Sequence, residues 1–158
     1  MSPGEGSGRE ERVVARRFRP ADLQQIIPIE NATFPVDAFP EPQFRRLASA
    51  HPDEFFVAEI SGAVVGYVAG SVTGDYGTLE SVAVDHRLRG RGIGTVLIGR
   101  LLDQFQHIGI RRCVLQVRTT NALAIDLYKR LGFHIVGSLA AYYADGADAL
   151  LMEKTLPG

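Results

Sequence analysis

Between an apolar strand and an amphipathic helix the chain reads Val82-Ala83-Val84-Asp85-His86-Arg87-Leu88-Arg89-Gly90-Arg91-Gly92-Ile93-Gly94-Thr95. A helix N-terminus carries unpaired N–H groups and partial positive charge, so it collects anions. Glycines let the backbone turn sharply and approach a ligand closely, and arginines add charge and bidentate donors. Pyrophosphate is the anion that suits this combination, and the stretch predicts a site for a phosphate-bearing cofactor. The bland alternative is a surface glycine turn with incidental arginines.

Two nucleotide-binding patterns fail here. Read from Gly90, the dinucleotide fingerprint G-x-G-x-x-G/A ends on Thr95. No acidic residue for a ribose stands between Ile110 and Val114, where the fingerprint wants one ~20 residues on. The phosphate-loop pattern G-x-x-x-x-G-K-[ST] is absent.

The elements that must position this loop follow from periodicity. Arg12 to Phe18 reads as a first strand. Pro20-Ala21-Asp22 starts a helix carrying Leu23, Ile26 and Ile27, with Pro28 disturbing its end. An aromatic, proline-rich loop from Phe34 to Pro42 and a short helix over 43–50 come next. Strands over 55–60, 63–72 and 77–84 form a meander. The main helix, 92–106, has its apolar stripe at Ile93, Val96, Leu97, Leu101, Leu102 and Phe105. A strand over 112–118 and a helix over 121–131, stopped by Gly132, precede a final hairpin with strands 133–143 and 147–155.

The bulk composition bounds the classes open to the chain. Its 158 residues, 46% hydrophobic, suit one domain with a sizeable core. A net charge of −1 gives no argument for nucleic acid or an acidic membrane surface as partner. The single Cys113, in an apolar run, reads as a buried structural thiol in a reducing compartment. The four histidines lack metal-ligand spacing, so no metal is expected. No run approaches the ~20 apolar residues of a membrane span, and no secretory apolar region stands at the N-terminus. The expectation is a cytoplasmic protein, monomeric or weakly dimeric.

Two motifs carry a family resemblance. Arg89-x-x-Gly92-x-Gly94 after an apolar strand resembles the acyl-CoA signature Q/R-x-x-G-x-G/A of the GNAT N-acetyltransferase superfamily. The block from Asn121 to Gly132-Phe133 resembles the same superfamily's N-x-x-A-x-x-x-Y-x-x-x-G-F signature. The resemblance spans Arg12 to Leu156 in the family's order of elements. It implies an α/β (α+β) fold: a central mixed, mostly antiparallel sheet of about seven strands with flanking helices. That fold is expected as a single domain over 12–158, behind a disordered tail over 1–11.

The resemblance also implies acetyl-CoA as cofactor. The backbone of Val82, Ala83 and Val84 should hold its pantetheine arm. The N–H groups of Arg89, Gly90, Arg91, Gly92, Ile93, Gly94 and Thr95 should cradle its pyrophosphate. Asn121 and Tyr128 lie about two helical turns apart on one face. Asn121 should meet the pantetheine amides and Tyr128 the sulfur, where a phenol can protonate a leaving thiolate. Taken alone, Tyr128 is more often a packing residue.

The attacking amine must also lose a proton. Strand alternation would put Thr78, Glu80, Val82 and Val84 on one face, with Glu80 toward the acetyl end as candidate base. A structural ion pair between Glu80 and a helix arginine is nearly as good a reading. Gln116 stands where similar enzymes often carry Glu or His; an amide takes no proton but can hydrogen-bond a water.

The segment from Ala140 to Met152 resembles the final hairpin of RimI/Ard1-type N-terminal acetyltransferases, where paired tyrosines border the peptide entrance. Tyr142 and Tyr143 would then contact a protein or peptide N-terminus, although one could equally be core and the other an edge residue. Phe34, Pro35 and Phe39 could wall the first-residue pocket, with Glu30 or Asp37 attracting the amine. A small-molecule amine or a lysine side chain remains open as acceptor. So does a non-catalytic acyl-CoA sensor, which Gln116 would suit.

Overall fold

Runs of β-branched and aromatic residues separated by turn residues become strands: β1 (Val13–Arg17), β2 (Phe55–Ile60), β3 (Ala63–Thr73), β4 (Tyr76–Val84), β5 (Arg112–Arg118), β6 (His134–Leu139) and β7 (Ala149–Thr155). The structure is a computed structural model that describes residues 12–158; the tail expected over 1–11 lies outside these described residues. The seven strands form one sheet in the order β1-β2-β3-β4-β5-β7-β6. Every neighbouring pair is antiparallel except β4–β5, which is parallel.

The helices are α1 (Leu23–Thr33), α2 (Glu41–Ala50), α3 (Ile93–His107) and α4 (Ala122–Arg130). They cover the sheet from both sides. Leu23 and Ile26 of α1 and Phe44 of α2 pack with Phe55, Val57 and Tyr67 on one face. Leu97, Leu101 and Phe105 of α3 and Tyr128 of α4 pack with Val68, Leu79, Leu115 and Met152 on the other.

Three expectations are corrected. First, Pro28 does not end α1, which continues to Thr33. Pro28 lies on the exposed side, while Leu23, Ile26 and Glu30 are buried opposite, and that packing carries the helix through the missing N–H.

Second, the final hairpin is shorter than its apolar pattern suggested. Residues 140–148 form a loop in which Ala141 takes a positive φ of 49°. There the Asp148 side chain accepts from the Ala141 N–H at 2.9 Å and Asp145 from the Ala147 N–H at 3.1 Å. Such side-chain bonds compete with a strand ladder and win here.

Third, β4 does not alternate evenly. Ala69 pairs with Ser81 but Gly70 with Leu79, so Glu80 is the extra residue of a β-bulge. Val82 and Val84 pack against the α3 core, whereas Ala83 belongs to the α1 core and Ser81 bonds Tyr67 and Glu30 there. Glu80 reaches Ser71, which lies with Tyr67 and Ala69 on the α1 side by alternation along β3. Glu80 therefore does not share a face with Val82 and Val84.

Candidate active site

Strands β4 and β5 pair only at Gly77↔Cys113 and Thr78↔Val114. Beyond that point Leu79–Val84 and Leu115–Arg118 separate, leaving a split in the sheet with backbone groups on its β4 wall that no strand takes up. At the end of β4, Asp85 accepts from the Arg87 N–H at 3.0 Å and pairs with its guanidinium at 2.7 Å. That pairing fixes the turn His86–Leu88 and holds the Asp85 carboxyl down to about 2.

The chain then enters α3 through Gly90 (φ 83°) and Gly92 (φ 78°), left-handed positions that favour glycine. No atom lies within 4 Å of where a Cβ would stand at either residue, so the loop's surface is open. Gly92 is the N-cap and offers no side chain to the first-turn amides, so the N–H groups of Ile93, Gly94 and Thr95 remain for an anion. Arg89 and Arg91 are exposed around them.

Across the split, Asn121 caps α4, its Oδ1 accepting from the Ala124 N–H at 3.2 Å. Its amide NH₂ stays available as a donor, so capping and ligand contact are compatible. Tyr128 is 8% exposed, edge-on to Phe133 at 5.8 Å between ring centroids. Burial, with Tyr143 and Cys113 nearby, pushes its phenol above the ordinary range, so it holds its proton. Burial likewise pushes the Cys113 thiol up to about 12, as a structural cysteine requires.

On the opposite face, Cys113, Leu115 and Val117 of β5 turn into the α3 core, so Val114, Gln116 and Arg118 face the α1 side. Gln116 and Glu80 thus stand on the two separating strands and look the same way. Glu80 is half-buried and its Oε2 accepts from the Ser71 hydroxyl at 2.6 Å. Its partner is a hydroxyl, and among the described residues it pairs with no arginine.

Glu30 is 1% exposed and enclosed, with Oε2 accepting from the Phe39 N–H at 2.8 Å and Oε1 from the Ser81 hydroxyl at 3.0 Å. Burial raises its carboxyl above the usual value, while those two donors oppose the shift. The residue suggested as an attraction for the amine is thus the anchor of the loop above it. Asp37, the other suggestion, has Oδ2 taken by Arg118 Nη2 at 2.6 Å and Nε at 3.0 Å.

Phe34 and Phe39 pack on the α1 core and Pro35 is exposed. Tyr142 is 49% exposed and stands edge-on to the half-buried Tyr143, 5.0 Å between centroids. The site contacts that sequence reasoning missed are Ser71–Glu80, Ser81–Glu30 and the ion pairs of Arg118. Ser71–Glu80 depends on the bulged register of β3 on β4, and the others join residues far apart in the chain that only the fold brings together.

The model of the acetyltransferase (GNAT) family matches residues 23–133. The chain belongs to this family. An N-alpha-acetyltransferase of Sulfurisphaera tokodaii is 35% identical, covering 94% of this chain and 95% of that protein. The N-alpha-acetyltransferase RimI of Mycobacterium tuberculosis is 38% identical over 85% of this chain and 87% of its own. The crystal structure of Ard1 from Thermoplasma volcanium superposes with a TM-score of 0.88 at 29% identity, over 92% of this chain and 99% of that one.

This GNAT protein is therefore an acetyl-CoA-dependent N-acetyltransferase. Its residues fit that cofactor: an uncapped helix N-terminus behind two open glycines suits a pyrophosphate, and the adjoining split offers free strand backbone to amide groups.

Proposed function

We propose that this enzyme acetylates the α-amine at the N-terminus of a protein or peptide. The observation that carries the reading is the mouth on the α1 side. There Arg118 joins the loop between α1 and α2 to the tyrosine-bearing loop 140–148, on the sheet face that Gln116 and Glu80 share. Relatives named N-alpha-acetyltransferase at 35% and 38% identity support it. Tyrosines suit this task because ring and hydroxyl engage a peptide backbone without demanding one side chain.

When bound, acetyl-CoA supplies an acetyl thioester whose sulfur leaves as the amide forms. In this reading Gly90, Gly92 and the first amides of α3, with Arg89 and Arg91, hold the pyrophosphate. The backbone of Val82, Ala83 and Val84 and the Asn121 amide hold the pantetheine arm. Glu80 takes the proton from the incoming ammonium, directly or through a water that Gln116 orients. Tyr128 would give its hydroxyl proton to the leaving sulfur, its raised phenol pKa keeping that proton in place beforehand, and the second proton shed by the acceptor nitrogen would restore the phenol through solvent. Tyr142, Tyr143, Phe34 and Pro35 border the acceptor, and Glu30 holds the loop that carries the last two.

The test is a CoA-thiol release assay on the full chain with short peptides that differ in first residue, run beside N-terminally blocked lysine peptides, spermidine and an aminoglycoside. Release with free-amine peptides and none with blocked ones is the expected result. Release only with spermidine, the aminoglycoside or a lysine side chain overturns the reading.

A further inference from the structure

Arg118 closes β5 and faces the α1 side, where its guanidinium serves three partners at once. Nε and Nη2 donate to Asp37 Oδ2 at 3.0 and 2.6 Å, and Nη1 donates to Asp145 Oδ2 at 3.0 Å. Its carbon centre sits 4.5 Å from the centroid of the Tyr143 ring. Asp37 lies in the loop between α1 and α2; Asp145 and Tyr143 lie in the loop between β6 and β7. One side chain on the rigid sheet therefore ties together two loops that otherwise hang from opposite ends of the chain.

Each loop is also hydrogen-bonded to the body of the protein at another point. The first is held at Phe39 by Glu30, at 2.8 Å. The second is held at Asp148, whose carbonyl accepts from the Thr119 N–H at 3.1 Å. Within the second loop the remaining bonds are local, such as Tyr143 N–H to Ala147 and Gly146 N–H to Tyr143. Neither anchor sets the distance from one loop to the other. The guanidinium does so, because its planar fork fixes the directions of its donors. A lysine ammonium, a point charge on a flexible stem, could satisfy one carboxylate without fixing the second.

We propose that Arg118 is a positioning residue that latches the two acceptor-side loops to each other and so sets the width of the peptide mouth. The inference rests on the N-terminal acceptor reading for its effect on kinetics, but not for its effect on the loops. Arg118 stands on the α1 side, away from the α3 N-terminus, so the latch acts on the acceptor and not on acetyl-CoA.

The experiment uses hydrogen exchange and steady-state kinetics on the full-length wild type, Arg118→Gln, Arg118→Lys and Asp145→Asn. In Arg118→Gln, the Phe39 and Ala147 amides should exchange faster together. KM for a peptide acceptor should rise about tenfold, the scale of a coupling between contacting charged groups, with KM for acetyl-CoA unchanged. Arg118→Lys should recover part of the peptide KM, and Asp145→Asn should loosen 140–148 while the Phe39 amide keeps its protection. Unaltered exchange in both loops, or an acetyl-CoA KM that shifts as much as the peptide KM, overturns the latch. If the wild type acetylates no peptide, the N-terminal reading fails alone, and the paired exchange of Phe39 and Ala147 still decides the latch.

Discussion

Tyr128 and Glu80 occupy opposite faces of the split sheet, and the proposed mechanism assigns them opposite proton traffic. The Tyr128 ring is buried against Phe133, so Tyr128→Phe keeps the packing and removes only the hydroxyl. We expect kcat to fall about a hundredfold, within the usual worth of a positioned acid, with the Kd for acetyl-CoA nearly unchanged by calorimetry. Equal kcat in the two proteins removes the acid role. Glu80→Gln can still accept the Ser71 hydroxyl bond but takes no proton. An α-amine has a pKa of about 7.7–8.0, so below that range the acceptor arrives charged and needs a base. The loss in kcat/KM should be largest there and should narrow at higher pH, where the amine is already neutral. A constant ratio of mutant to wild-type rate from pH 6 to 9 (from nearly two units below that pKa to about one above it) points to a route without Glu80.

At the scale of elements, the phosphate loop and the bulge differ in how they arise. The glycine–arginine loop was legible because its residues are contiguous and each type has a local reason to be there; the structure gives Gly90 and Gly92 the positive φ that motif requires. The placement of Asn121 at the cap of α4 and of Tyr128 within it was legible for the same reason, both belonging to one helix. The face of Glu80 was not, because a bulge is a property of two paired strands: it follows from Ala69 facing Ser81 while Gly70 faces Leu79. Residues 140–143 and 147–148 read as strand because tyrosines and alanines mask the aspartates that close the loop around the expected turn at 144–146. The loop's role can be tested against a matched control. Gly92→Ala and Gly74→Ala both meet no neighbour within 4 Å and both sit at positive φ, 78° and 57°. Each should lose about 1 kcal/mol of stability through backbone strain. Only Gly92→Ala should also weaken CoA binding, by about tenfold, since the proposed phosphate cradle includes Gly92 and not Gly74. Equal CoA affinity in the two variants rejects the assigned loop.

Across the whole molecule, the acceptor side is organised by a buried polar chain running from Tyr67 through Ser81 to Glu30 and on to the Phe39 amide. It ties β3, β4, α1 and the loop after α1 into one unit, and Glu30 is its charged member. Burial raises the Glu30 carboxyl above the ordinary value of 4.5, so the folded protein binds that proton more tightly than the unfolded chain does. Stability from this group is therefore fully present below 4.5 and is lost as pH rises from there through the raised, folded-state pKa. Asp22 works in the reverse sense. Its hydrogen bonds to Arg16 and to the Arg19 N–H outweigh its burial and hold its carboxyl below the usual 3.8, so its contribution is present above 3.8 and lost as pH falls through the lowered value. Because the two groups change stability in opposite directions on either side of the interval between 3.8 and 4.5, the wild-type curve is a composite; the difference from Glu30→Gln isolates Glu30. The amide is nearly isosteric, still accepts one hydrogen bond and does not titrate. Measured by urea denaturation at steps of pH, the stability of wild type minus that of Glu30→Gln should decline as pH rises above 4.5 and then level off. A flat difference would show that Glu30 ionises as freely inside the fold as outside it, and a rising one that it ionises more readily there. The buried chain would then hold the acceptor loop without the strain of an enclosed carboxylate.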